Sequence, residues 1–133
     1  MKVLFVPQTG QALLGANRSM LDLVEHMIKK GNDVKVLCAK KGELSAELEK
    51  RKIDVIVSRH FTWCFTIIHP YLPLAPIFSL SNRFLYKKIF SRLKDWSPDL
   101  IYTNNTTVGV GAWLAEKFRI PHIWHVRELG WID

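Results

Sequence analysis

The chain has 133 residues, with 19 Lys and Arg against 12 Asp and Glu and a formal net charge of +7, so it can build one core but not two full α/β domains. The positive balance suits an anionic partner, whether nucleic acid, phosphorylated substrate or acidic membrane surface, without choosing among them. Cys38 and Cys64 show neither the spacing of a disulfide framework nor that of a zinc site, and Met1-Lys2 leads straight into a strand without a signal-peptide pattern, which suits a reduced, cytoplasmic setting.

The first predicted strand is Lys2-Val3-Leu4-Phe5-Val6, broken at Pro7. A loop punctuated by Gly10 and Gly15 then opens a helix over 17–30, with Met20, Leu21, Val24, Met27 and Ile28 on its apolar face and Asp22 and Glu25 opposite. Lys29-Lys30 suit the negative end of that helix, and Gly31 can take a left-handed cap. Strand, glycine loop and helix form the entry to a doubly wound domain, where unpaired N–H groups at the helix start offer a site for a phosphate or a sugar hydroxyl. The alternative is that Gly10 and Gly15 only shape a turn. Gly10 and Gly15 have P-loop spacing, but Ala16-Asn17 stand where that motif needs Lys and then Ser or Thr, which argues against an ATPase or GTPase. The second strand ends Cys38-Ala39-Lys40-Lys41, without the carboxylate that a dinucleotide site uses to hold a ribose.

Val34 to Cys38 is the second predicted strand, Glu43 to Lys50 a short helix and Ile53 to Val57 the third strand. The stretch His60 to Phe78 is apolar and aromatic but interrupted by three prolines and two histidines, so it is not a transmembrane helix. It either packs over the sheet edge or offers Trp63, Phe65, Tyr71 and Phe78 as a lip touching a lipid or membrane surface. Ser81 or Asn82 can cap the next helix, which turns Leu85, Ile89, Leu93 and Trp96 inward and Arg83, Lys87, Lys88, Arg92 and Lys94 outward before stopping at Ser97-Pro98. That basic face is either simply solvated or drawn to an anionic membrane. Asp99 to Thr103 is the fourth strand. It runs into Asn104-Asn105-Thr106-Thr107, polar side chains that can cap a helix over Gly109 to Lys117 and also face the crevice above the sheet. Gly109, Gly111 and Ala112 let that helix approach the sheet closely, and Pro121 to Val126 is the fifth strand.

The expected architecture is an α/β, Rossmann-like, doubly wound parallel sheet in the order 3-2-1-4-5 with helices on both faces. In that order the ends of strands one, four and five adjoin. They bring together Gly15, Ala16, Asn17 and Arg18, then Asn104 and Asn105, then His125, Arg127 and Glu128. His125 can donate to a sugar hydroxyl, Arg127 can fork onto an anion, and Glu128 can orient either. The plainer alternative is a strand-end histidine satisfied by backbone and an Arg127 to Glu128 contact that closes a loop. His122 and His125 lie three apart on a strand and so face opposite ways, which argues against a shared metal.

Gly15-Ala16-Asn17-Arg18-Ser19-Met20-Leu21-Asp22-Leu23 before a helix ending Lys30-Gly31-Asn32-Asp33-Val34, then Pro98-Asp99-Leu100-Ile101-Tyr102-Thr103-Asn104, then Ile120-Pro121-His122-Ile123-Trp124-His125-Val126-Arg127-Glu128, together resemble the N-terminal half of a GT-B glycosyltransferase of the retaining family 4 type. The resemblance implies metal-free transfer of a sugar from a nucleotide-sugar to a glycan or lipid-linked acceptor, with retention at the anomeric carbon. The setting it implies is cell-surface polysaccharide or glycoconjugate synthesis at the inner face of the cell membrane. It places Gly15 and its neighbours near donor phosphates and acceptor, His125 beside the transferred sugar, and Arg18, Asn104, Arg127 and Glu128 on the acceptor. It also implies no cofactor in this domain, no nucleic-acid partner, and a C-terminal donor domain outside 1–133, so that residues 1–133 alone are expected to be inactive. A GT-B-shaped sugar-nucleotide epimerase and a non-catalytic Rossmann-like binding module are the alternatives.

Overall fold

The structure is a computed structural model and describes residues 1–8, 15–62 and 75–126. Five strands, β1 (Lys2–Val6), β2 (Asp33–Cys38), β3 (Asp54–Val57), β4 (Leu100–Thr103) and β5 (His122–Trp124), form one sheet in the order β3-β2-β1-β4-β5. Every pair is parallel, with Phe5 opposite both Val36 of β2 and Tyr102 of β4. The helices are α1 (Ala16–Lys29), α2 (Glu43–Lys50), α3 (Ala75–Leu93) and α4 (Val110–Phe118). The expected fold is therefore the observed one.

β1 is central because its side chains are apolar on both faces. Val3 and Phe5 point into a core closed by Met20, Leu21 and Val24 of α1 and Leu44 and Leu48 of α2. Leu4 and Val6 point into the opposite core, closed by Tyr86, Ile89 and Leu93 of α3 and Val110 and Leu114 of α4. The end of α1 forms as expected: Gly31, at φ +83°, lets its own N–H reach the Ile28 carbonyl at 2.9 Å while Asn32 N–H reaches that of Met27 at 3.2 Å. Ile28 departs from expectation. It is exposed, while the buried stripe runs over Asn17, Met20, Leu21 and Val24 and Met27 packs partly buried against the same core.

α3 starts earlier than expected, at Ala75, so neither Ser81 nor Asn82 caps it. Asn82 lies buried inside the helix and pairs with a neighbouring extended segment: its Oδ1 accepts from Phe61 N–H at 2.9 Å and its Nδ2 donates to Phe61 O at 3.2 Å. The expected inward residues Ile89 and Leu93 are fully buried, and Arg83, Lys87, Lys88, Arg92 and Lys94 are exposed. Trp63, Phe65 and Tyr71 lie outside the described residues, as do Cys64 and the side chain of Phe78. Cys38 is buried in β2, where desolvation pushes its thiol up to about 12, so it serves as a packing residue.

α4 is seated on β4 and β5 through Gly111. A Cβ there would lie 1.9 Å from Thr103 Oγ1 and 3.3 Å from His122 Nε2, confirming the expected close approach at this position. We expect Gly111→Ala to destabilise the fold: overpacking costs roughly 1–3 kcal/mol, set against about 1 kcal/mol gained in helix propensity. The double variant with Thr103→Ala, which removes the obstructing hydroxyl, should be more stable than the two single effects added together. Additive thermal melts would contradict this account of the seat.

Candidate functional site at the strand ends

The loop after β1 rises into α1 through Gly15, which takes φ 47° and ψ −105°. Among the described residues a Cβ there would meet nothing within 4 Å, so it is the positive φ that calls for glycine. Among the described residues no side chain caps this helix and no acidic residue occupies its first turn, so its positive end is not neutralised locally. Asn17 is buried in that first turn, whereas Arg18 is exposed.

β4 ends against the same turn. Asn104 is 0% exposed; its backbone N–H donates to Val6 O at 2.9 Å, and its side-chain Nδ2 donates to Ala16 O at 2.8 Å. Two of the three expected clusters, the start of α1 and the end of β4, are thus in direct contact. Asn105 is also buried, but the expectation that this segment caps the next helix is corrected: α4 has Gly109 as its N-cap with no side-chain cap bond. Asn105 Oδ1 instead accepts from Thr107 N–H at 2.6 Å, closing a turn within the segment itself, and the Asn105 carbonyl accepts from Trp124 Nε1 at 2.7 Å.

The third cluster begins just past β5, where His125 N–H donates to Thr103 O at 2.9 Å and extends the ladder by one bond. The side chain is half-buried and its Nδ1 is hydrogen-bonded to the Tyr102 hydroxyl, the two rings lying edge to face. Arg127 and Glu128 lie outside the described residues. His122 and His125 face opposite ways, as expected, since His122 Nε2 meets Thr103 Oγ1 at 2.8 Å on the α4 side. Tyr102 and Trp124 are the contributors that sequence reasoning missed. Tyr102 is identified by the strand register: with Tyr102 opposite Ile123 in a parallel ladder, His125 falls on the same face.

Residues 15–133 match the family model described as a glycosyl transferase 4-like domain. No curated protein matches the chain. Among solved structures, Anabaena HepE in complex with UDP and glucose superposes with a TM-score of 0.63 at 21% identity, over 93% of this chain and 29% of its own. Acinetobacter baumannii MurG gives 0.65 at 17% identity, over 92% of this chain and 34% of its own. A glycosyltransferase from Rickettsia africae gives 0.63 at 19% identity, over 92% and 28% respectively. These likenesses show the shared fold, and the chain spans about a third of the length of the structures it matches.

Burial acts on two histidines at opposite sides of the sheet, His122 in β5 and His60 after β3. Burial holds both His122 and His60 below the ordinary imidazole value of 6.5; at His60 a bond between Nδ1 and Ser58 O opposes the shift without cancelling it. The unfolded chain therefore takes up protons near 6.5 while the folded chain still resists them, so stability is full above that pH and falls as the pH drops below it toward the depressed values. Denaturant midpoints should be lower at pH 5 than at pH 7.5, and His60→Gln with His122→Gln should flatten the difference. A profile as steep in the double variant as in the parent would contradict the assignment.

Proposed function

Because the chain belongs to the glycosyl transferase 4-like domain family, we propose that it is the N-terminal, acceptor-side half of a two-domain GT-B glycosyltransferase of the retaining type. In this reading a C-terminal half holds the nucleotide-sugar donor, and the sugar passes to a glycan or lipid-linked acceptor in cell-surface polysaccharide or glycoconjugate synthesis. The bond between the anomeric carbon and the donor diphosphate breaks, and a bond to an acceptor hydroxyl oxygen forms as that hydroxyl gives its proton to the departing diphosphate. Negative charge grows on the leaving diphosphate, and the N–H end of α1 at Gly15 to Asn17, without a side-chain cap among the described residues, suits that charge. His125 stands beside the transferred sugar, while Arg18, Asn104, Asn105, Arg127 and Glu128 frame the acceptor side.

The observation that carries this reading is the junction of α1 and β4 through the Asn104 to Ala16 bond, because it sets the helix start at the switch point where doubly wound sheets bind ligands. A peripheral position at the inner face of the cell membrane draws support from α3. Its exposed Ile77, Leu80 and Phe84 fall on one helical face, and the exposed Lys87 and Lys88 follow on the next turn. No helix among the described residues is long and apolar enough to cross a membrane.

In the longer enzyme, His125→Ala should lower turnover roughly ten- to a thousandfold, the loss expected for a positioned polar group at a reacting centre, with the fold intact. Arg127→Ala should act more on acceptor affinity than on turnover. Full activity of the His125 variant, or sugar transfer by residues 1–133 alone, would overturn the reading. For the membrane position, sedimentation with anionic liposomes should fall as salt rises, and equal binding by the Leu80→Ser, Phe84→Ser variant would remove α3 from it.

A further inference from the structure

We infer that Tyr102 is the positioning residue for His125: its hydroxyl donates to Nδ1 and so fixes the imidazole as the tautomer that carries its proton on Nε2. The inference rests on the role proposed above for His125. It starts from the contact between the Tyr102 hydroxyl and His125 Nδ1. A neutral imidazole has one donor and one acceptor nitrogen, so whatever bonds to Nδ1 decides what Nε2 can do. A phenol is a far better proton donor than a neutral imidazole N–H, and an imidazole nitrogen is a better acceptor than a phenolic oxygen. The favoured pairing is therefore O–H to Nδ1, leaving Nε2–H as a donor.

Tyr102 is itself held firmly. It lies in β4 opposite Phe5 and Ile123, its ring packs against Phe5 with centroids 5.0 Å apart, and it borders the core under α1. His125 is anchored on the other side by the bond of its N–H to Thr103 O at 2.9 Å. The two ring nitrogens of an imidazole diverge, so with Nδ1 turned to Tyr102, inside the end of β4, Nε2 faces away from it. The pair thus presents a fixed N–H donor rather than a base, which selects the chemistry this histidine offers a sugar: donation to a hydroxyl or to an oxygen gaining charge, with no removal of a proton. The T-shaped arrangement of the two rings, with an interplanar angle of 88°, limits rotation of the imidazole about its own axis.

Long-range proton–nitrogen correlation spectra of the 133-residue chain, labelled with ¹⁵N at histidine and assigned with His125→Gln, read the tautomer directly. At a pH above the range of an ordinary imidazole, we expect Nε2 of His125 to be protonated and Nδ1 not. Tyr102→Phe keeps the ring on Phe5 and should leave the thermal melt in place while moving His125 to a mixture of tautomers. A proton on Nδ1 in the parent, or the same tautomer in parent and Tyr102→Phe, overturns the inference. In the longer enzyme Tyr102→Phe should lower kcat about tenfold with KM changed less than about twofold. Full turnover by Tyr102→Phe where His125→Ala is impaired also overturns the positioning role. Full turnover by His125→Ala, with the tautomer as expected, counts instead against the site reading and leaves the control of the tautomer by Tyr102 standing.

Discussion

The fully buried amide of Asn104 is the point on which the upper edge of this domain depends. It joins three segments that are distant in sequence: β4, which it directly follows; β1, whose Val6 carbonyl takes its backbone N–H; and α1, whose Ala16 carbonyl takes its side-chain N–H. A buried amide donor left without an acceptor costs about 1–3 kcal/mol, so the start of α1 cannot drift from the end of β4 without penalty. Gly15 is the complementary constraint. The chain must turn into α1 at a positive φ, which a side chain would strain.

The described residues finish the two ends of the sheet with different side chains. At the N-terminal ends of the strands the edge is closed by side chains: Asp99 accepts from Lys2 N–H at 2.7 Å, Asp33 accepts from Trp96 Nε1 at 2.7 Å, and Lys2 Nζ reaches Trp96 O at 2.9 Å. At the C-terminal ends, Asn104, Asn105 and Thr103 knit the backbone together, and among the described residues α1 starts without a side-chain cap and His125 is half-buried. The lower bonds supply rigidity, and the C-terminal strand ends are the edge at which doubly wound sheets in general take their ligands.

Much of this was legible in the sequence. The strand order follows from the alternation of apolar runs with helical stripes, since β1 is apolar at Val3, Leu4, Phe5 and Val6 alike and must therefore be central, and right-handed crossovers leave few alternatives. The start of α3 was not legible, because the prolines before it read as interruptions. Pro76 stands in the first turn of that helix, where its missing N–H has no partner to lose. Asn82 was misread for a related reason: a residue favoured at helix caps is here buried mid-helix to satisfy both backbone groups of Phe61, a tertiary demand that no local pattern records. In the candidate site, the meeting of α1 and β4 followed from topology. The bonds of Asn105 to Thr107 and Trp124, and that of Tyr102 to His125, depend on side-chain placement across a register that becomes definite only once the strands are paired.

The central claim, that ligands engage the upper edge where β1, β4 and β5 end, is tested most directly by amide hydrogen exchange on the longer enzyme with and without UDP-glucose and other nucleotide-sugars. The account predicts slowed exchange in three separate segments, around Gly15–Ser19, Asn104–Thr107 and Trp124–Val126, with the lower edge near Asp33 and Asp99 unchanged. Slowing confined to that lower edge or to α3, or no slowing in the three segments with any nucleotide-sugar, would contradict it.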